Sequence, residues 1–240
     1  MPPENNFPDQ ISIETIRASK FDGIAYQNVR RNRRGERDHH STSFFISRNF
    51  LLTSAHNVSG LIFGLNKPNK LSIYPSKIGN DEHLGSIIYN IGYRRNISIA
   101  PGYSFRRRRT HISHDMALIY IPEEIVSNNR HLDNLPILPI LEDLTSLEEG
   151  EPVYCAGYPA ADEYADQFIM TLDESTLGRI RNSSFKHNLD TKRGNSGSPI
   201  MVKRNSEYHV IGINSIRHNG TLIKDSKKRW IQSTMERMTR

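Results

Sequence analysis

The chain is broken into short apolar segments with turn residues between them: GIAYQNV, SFFIS, FLLTSA, LSIYP, GSIIYNIGY, MALIYI, PVYCAGY, QFIMTL, SPIMVK and HVIGI. Each spans roughly four to eight residues rich in β-branched and aromatic side chains, a length that suits a strand and is too short for most helices. Gly, Pro and Asn recur between the segments. Many short strands punctuated in this way predict an all-β sandwich or barrel. At 240 residues the chain can hold one large β domain or two small lobes with a real core.

Residues 131–149, HLDNLPILPILEDLTSLEE, set two prolines among leucines and isoleucines and end in acidic residues. That composition fits a connector lying on the surface between two β lobes. The chain then divides into an N-terminal arm over 1–20, a first lobe over 21–130, the connector over 131–149 and a second lobe over 150–240. One clear helix is expected, from Asp225 or Ser226 onward, with either residue able to cap its start. Trp230, Ile231, Met235 and Met238 would form its apolar face.

The start, MPPENNFPDQ, has neither a basic n-region nor an apolar h-region, so it does not read as a signal peptide. The expectation is a cytoplasmic protein, or a secreted one if a leader has been removed. No apolar run approaches the ~18 residues of a membrane span, and no membrane partner is expected. The single cysteine, Cys155, cannot form an internal disulfide, and in the apolar run VYCAG it reads as a buried, inert thiol. The net charge of +6 is gathered in RRNRR at 30–34, RRRR at 106–109 and KKR at 227–229. These runs are scattered and lack interleaved aromatics that could stack on bases. They read as solvated loop charges, and nucleic acid is not an expected partner.

The stretch DTKRGNSGSP, from residue 190, places Ser196 at the tip of a glycine-bounded turn. A turn needs glycine but not a serine. A serine hydroxyl becomes a nucleophile only when a neighbouring base takes its proton, commonly a histidine held in one tautomer by a buried carboxylate. Among ten histidines, His56 closes the apolar strand FLLTSAH, whose small final residues let the ring lie close to the backbone. Asp115 opens DMALIYI, a carboxylate directly ahead of another apolar strand. Alone, His56 reads as a structural histidine and Asp115 as a turn residue; the three together point to nucleophilic catalysis.

FLLTSAHNV, HDMALIYI and GNSGSPI resemble the three active-site blocks of the trypsin-like serine peptidases, in that family's chain order. YCAGYP at 154–159 and VIGIN at 210–214 resemble two further blocks, and WIQ at 230–232 the start of the terminal helix. The resemblance covers about residues 21–240. It implies two packed six-stranded antiparallel β-barrels with a C-terminal helix and the active site between them. It implies Ser196 as nucleophile, His56 as general base and acid, and Asp115 as orienting carboxylate, with an acyl-enzyme intermediate. The N–H groups of Gly194 and Ser196 would form the oxyanion hole, and Ser215 would hydrogen-bond Asp115. The substrate would be a protein or peptide, and no metal or organic cofactor is needed.

Two departures from the family pattern stand out. The residue before the nucleophile is Asn195 rather than the aspartate that pairs with a freed N-terminus in the digestive members. GNSGS, GYP and the lack of disulfides resemble instead the bacterial glutamyl-endopeptidase branch. In that branch a threonine and a histidine help hold a substrate carboxylate; Thr191 fits the first position, but the second is Asn214, with Arg217 and His218 close by. Asp190 falls at the position of trypsin's acidic specificity residue, so Asp190, Thr191, Asn214 and Ser215 are the substrate-binding candidates.

Two other readings compete. His111, His114 and Asp115 in HISHD could bind a metal in a metal-dependent hydrolase. The chain could also be a catalytically silent peptidase-fold module that binds partners through its basic surface. An active peptidase inside a cell needs restraint, so a regulatory protein partner is a further expectation.

Overall fold

The computed structural model describes residues 21–30, 39–62, 70–77, 87–89, 95–104, 112–129, 132–160 and 169–240. The expected arm over 1–20, the arginines at 31, 33, 34 and 106–109, and His111 lie outside the described residues.

The first lobe is one antiparallel sheet. Its strands are β1 (Ile24–Arg30), β2 (His39–Ser47), β3 (Phe50–Thr53), β4 (Lys70–Pro75), β5 (Ile87–Tyr89), β6 (Ile97–Ile99) and β7 (Ala117–Tyr120), in the spatial order β5-β4-β1-β2-β3-β7-β6. The two edges are close in the chain, since β5 ends at Tyr89 and β6 begins at Ile97. Counted as two parts of one stave, β5 and β6 bring the lobe to six staves. A short helix, α1 (Ala55–Ile62), follows β3 directly, and α2 (Glu123–Ser127) follows β7.

The second lobe is a closed barrel of β8 (Pro152–Gly157), β9 (Thr171–Ile180), β10 (Ser184–His187), β11 (Pro199–Arg204), β12 (Glu207–Ile216) and β13 (Asn219–Leu222), ordered β10-β13-β12-β11-β8-β9. Between the lobes, Ile140 makes a parallel bridge to Val210, while Leu141 and Leu147 pack into the second lobe's core.

Three apolar cores explain the sequence pattern. Leu51, Ala117 and Ile119 fill the first barrel with Phe45, Leu71 and Ile73. Val153, Cys155, Ile200, Val202 and Ile211 fill the second. The alternate residues on the same strands, Phe50, Leu52, Met116 and Leu118 from one lobe and Tyr154, Ala156, Met201, Val210 and Ile213 from the other, form a third core between the lobes. Strands at this seam are apolar on both faces, so they read as continuous hydrophobic runs rather than alternating ones. Cys155 is buried, and burial pushes its thiol up to about 12, leaving it an inert core residue.

The C-terminal helix, α3 (Asp225–Met238), is where the sequence placed it, and Trp230, Ile231, Met235 and Met238 all meet the seam core. Its start differs from expectation. Lys224 occupies the N-cap without a side-chain cap, and Asp225 sits inside the first turn, where its charge faces the positive end of the helix dipole.

Candidate active site

The local build of each loop fixes one functional side chain. His56 is the second residue of α1, in the first turn, where backbone N–H groups have no intrahelical acceptor. Asp115 supplies one: the His56 amide donates to its Oδ1 at 2.9 Å. Its other oxygen, Oδ2, lies 2.7 Å from His56 Nδ1 and accepts the Ser215 hydroxyl. One carboxylate therefore holds the backbone and the ring of the same histidine. Since an ionised carboxylate only accepts, Nδ1 carries a proton, and the neutral tautomer compatible with this contact has its lone pair on Nε2.

The electrostatics follow from burial. The Asp115 side chain is 1% exposed and that of His56 28% exposed, so the carboxylate is dry while the ring reaches the surface. Burial alone would push the Asp115 carboxyl up. The His56 ring, the Ser215 hydroxyl and the His56 amide together outweigh it and hold the group below the ordinary aspartate range.

Ser196 comes from the second lobe, on the turn that leads into β11. Its Oγ donates to the Ser215 carbonyl at 3.1 Å. Its own carbonyl accepts from the Thr42 amide at 3.0 Å and from Asn57 Nδ2 at 2.9 Å, both in the first lobe. Gly194 and Gly197 flank it with φ of 92° each, a region costly for other residues. A Cβ on Gly194 would meet the Tyr158 carbonyl oxygen at 2.3 Å, and one on Gly197 the Thr42 oxygen at 2.0 Å. Glycine is required at both. Among the described residues, the N–H groups of Gly194 and Ser196 have no internal acceptor, which leaves two donors free beside the Ser196 hydroxyl.

The substrate-binding candidates separate. Ser215 lies at the Asp115–Ser196 junction. Asn214 is buried, with its amide between His187 and the Asn195 carbonyl. Thr191 donates to the Arg217 carbonyl at 2.9 Å, and Arg217 and His218 are exposed on the β12–β13 turn. Asp190 is half exposed and paired with Lys192 at 2.8 Å, so its charge already has a partner. His114 is half-buried against Gly102, where a Cβ would meet the ring at 2.8 Å, and the Asp115 carboxylate is taken by His56 and Ser215. Among the described residues no three His, Cys, Asp or Glu side chains gather as metal ligands.

Thr42, Asn57 and His187 touch the nucleophile loop or its supports, and sequence reasoning missed all three. Asn57 follows the singled-out His56, and that adjacency was the one available signal. Thr42 and His187 sit in unremarkable strand segments, and their contacts join residues far apart in the chain.

The fold and this arrangement define a two-barrel, chymotrypsin-fold protein with a His–Asp pair facing a serine loop across a seam. A model of the trypsin-like peptidase domain matches residues 41–213, and the chain belongs to that family. Among solved structures, a Glu endopeptidase in complex with MPD is similar at a TM-score of 0.73 and 18% identity, over 97% of this chain and 98% of that one. A scabies mite inactivated protease paralogue is similar at a TM-score of 0.66 and 17% identity, over 96% of this chain and 99% of that one. Both likenesses concern the fold. Among curated proteins no sequence matches significantly.

Proposed function

We propose that the chain is a serine endopeptidase that hydrolyses peptide bonds in proteins or peptides through Ser196, His56 and Asp115. The observation that carries this reading is the two-point hold of Asp115 on His56, at 2.9 Å to the amide and 2.7 Å to Nδ1, with Ser215 bonded both to that carboxylate and to the Ser196 hydroxyl. It leaves Nε2 able to take the Ser196 proton once Oγ rotates about χ1 from the Ser215 carbonyl to the ring. Oγ then attacks the scissile carbonyl carbon, and the developing oxyanion meets the Gly194 and Ser196 N–H groups. His56 passes its proton to the leaving amine, and water releases the acyl group by the reverse sequence. The catalytic steps need only side chains and amides of this chain.

A fluorophosphonate probe tests the scheme. The wild-type protein is expected to be labelled covalently on Ser196, with labelling abolished in Ser196→Ala and His56→Ala. Equal labelling of wild type and Ser196→Ala would overturn it.

A further inference from the structure

His187 is a buried histidine with no part in the proton transfers just described. It lies on β10 with 1% exposure, and its Nε2 is 3.1 Å from Asn214 Oδ1. The other end of that amide, Nδ2, donates to the Asn195 carbonyl at 3.0 Å. Chemistry fixes the polarity of the chain of bonds. A carbonyl oxygen only accepts, so the amide nitrogen must face Asn195 and the amide oxygen must face the ring. Nε2 of His187 must then carry the proton. A flipped amide would set two oxygens against each other in a dry interior.

The Asn195 carbonyl and the Ser196 N–H belong to one planar trans peptide unit and point in opposite directions. Whatever holds that oxygen aims that hydrogen. The oxygen is held twice, by Asn214 Nδ2 and by the Ser198 amide at 3.0 Å. The neighbouring unit is fixed likewise, because the Arg193 carbonyl accepts the Ala160 amide at 2.6 Å and so turns the Gly194 N–H the other way.

We propose that His187 and Asn214 are positioning residues: an imidazole–amide clamp that fixes the Ser196 N–H as an oxyanion donor before substrate arrives. Asn214 thereby serves the nucleophile loop and not a substrate side chain. The inference rests on the serine-peptidase reading for its effect on rate, but the clamp is a property of the resting protein. Burial holds the ring neutral, pushing it down to about 4 against the pull of the Asn214 bond and of the Asn219 backbone, with the nearby His218 adding to the downward push. The His218 ring lies 6.3 Å away, centroid to centroid.

Two measurements test this independently. Imidazole ¹⁵N NMR on the intact Ser196→Ala chain is expected to show His187 as the neutral Nε2–H tautomer at pH 7. An Nδ1–H tautomer would overturn the clamp whether or not the wild type is a peptidase. In the second, fluorophosphonate inactivation is timed across variants with Tm recorded for each. His187→Phe is expected to slow the inactivation rate constant about tenfold at unchanged reagent affinity, less than the 10²–10³ of deleting an oxyanion donor outright. His187→Gln, which can place an N–H at the same point, should recover most of that loss. If His187→Phe does not fold, Asn214→Asp replaces the donor facing Asn195 with an acceptor at constant shape and should slow the same step. Wild-type rates in the folded loss variant would overturn the proposal. Absence of labelling in the wild type would overturn the peptidase reading alone.

Discussion

Asp115 has two oxygens facing three donors: the His56 amide, the His56 ring and the Ser215 hydroxyl. Asp115→Asn keeps the shape but leaves one acceptor oxygen. The His56 amide has no other acceptor, so the remaining oxygen stays there and the new NH₂ faces Nδ1. The ring must then accept at Nδ1 and carry its proton on Nε2, the wrong tautomer for taking a proton from Ser196. The expected result is a folded protein whose fluorophosphonate labelling is about 10⁴-fold slower, the figure known for the general triad template. A loss under tenfold would show that the tautomer is not held by this residue. These residues stood out in the sequence because each sits inside a local string: TSAH, HD ahead of an apolar strand, and GNSGSP. Thr42, Asn57 and His187 did not, because a threonine in STSFF or a histidine in a strand acquires its role only from a partner outside its own segment.

At the scale of elements, the sequence marked strands by apolar runs and the one long helix and its apolar face by spacing, but it did not show how far the buried face extends. Buried positions on α3 include Lys227 and Thr234 beside Ile231, a stripe that a hydrophobicity pattern cannot detect. Lys227 is the more consequential. Its Nζ donates to the Leu222 carbonyl at 2.9 Å and the Ser183 carbonyl at 3.3 Å. Burial, with the nearby Lys224, pushes the group down to about 8 from 10.5. Between these values the unfolded chain binds more protons than the folded one, so stability rises with pH from about 8 and levels off above 10.5. Chemical denaturation of the Ser196→Ala protein at stepped alkaline pH should show this rise, at most about 1.4 kcal/mol per pH unit. The same series on Lys227→Met should lack that contribution; identical slopes would count against a buried, partly discharged lysine.

For the whole molecule, the decisive feature is that the loops carrying Asp115 and Ser196 are bonded across the seam as well as within their own lobes. Thr42, on β2 of the first lobe, donates its hydroxyl to the Gly194 carbonyl at 2.9 Å and accepts the Tyr158 amide at 3.0 Å, both in the second lobe. Ser54 Oγ donates to the Asn214 carbonyl at 2.8 Å, and Thr221 in the second lobe donates back to the Ile112 carbonyl beside Asp115. Around these bonds lies the third core, with residues from both lobes. Two lobes sharing an apolar core and a buried polar network should unfold together. Thr42→Val removes the hydroxyl at nearly constant volume and leaves a buried N–H and a buried C=O without their partner, a loss of about 2–5 kcal/mol. Urea denaturation of the Ser196→Ala protein can follow Trp230, the single tryptophan, which packs on the seam, alongside far-UV circular dichroism. Both signals should share one midpoint in the parent and fall together to a lower one in Thr42→Val. Separate midpoints in the parent, or an unmoved midpoint in the variant, would mean that the barrels are stable apart and that the seam does not hold the site together.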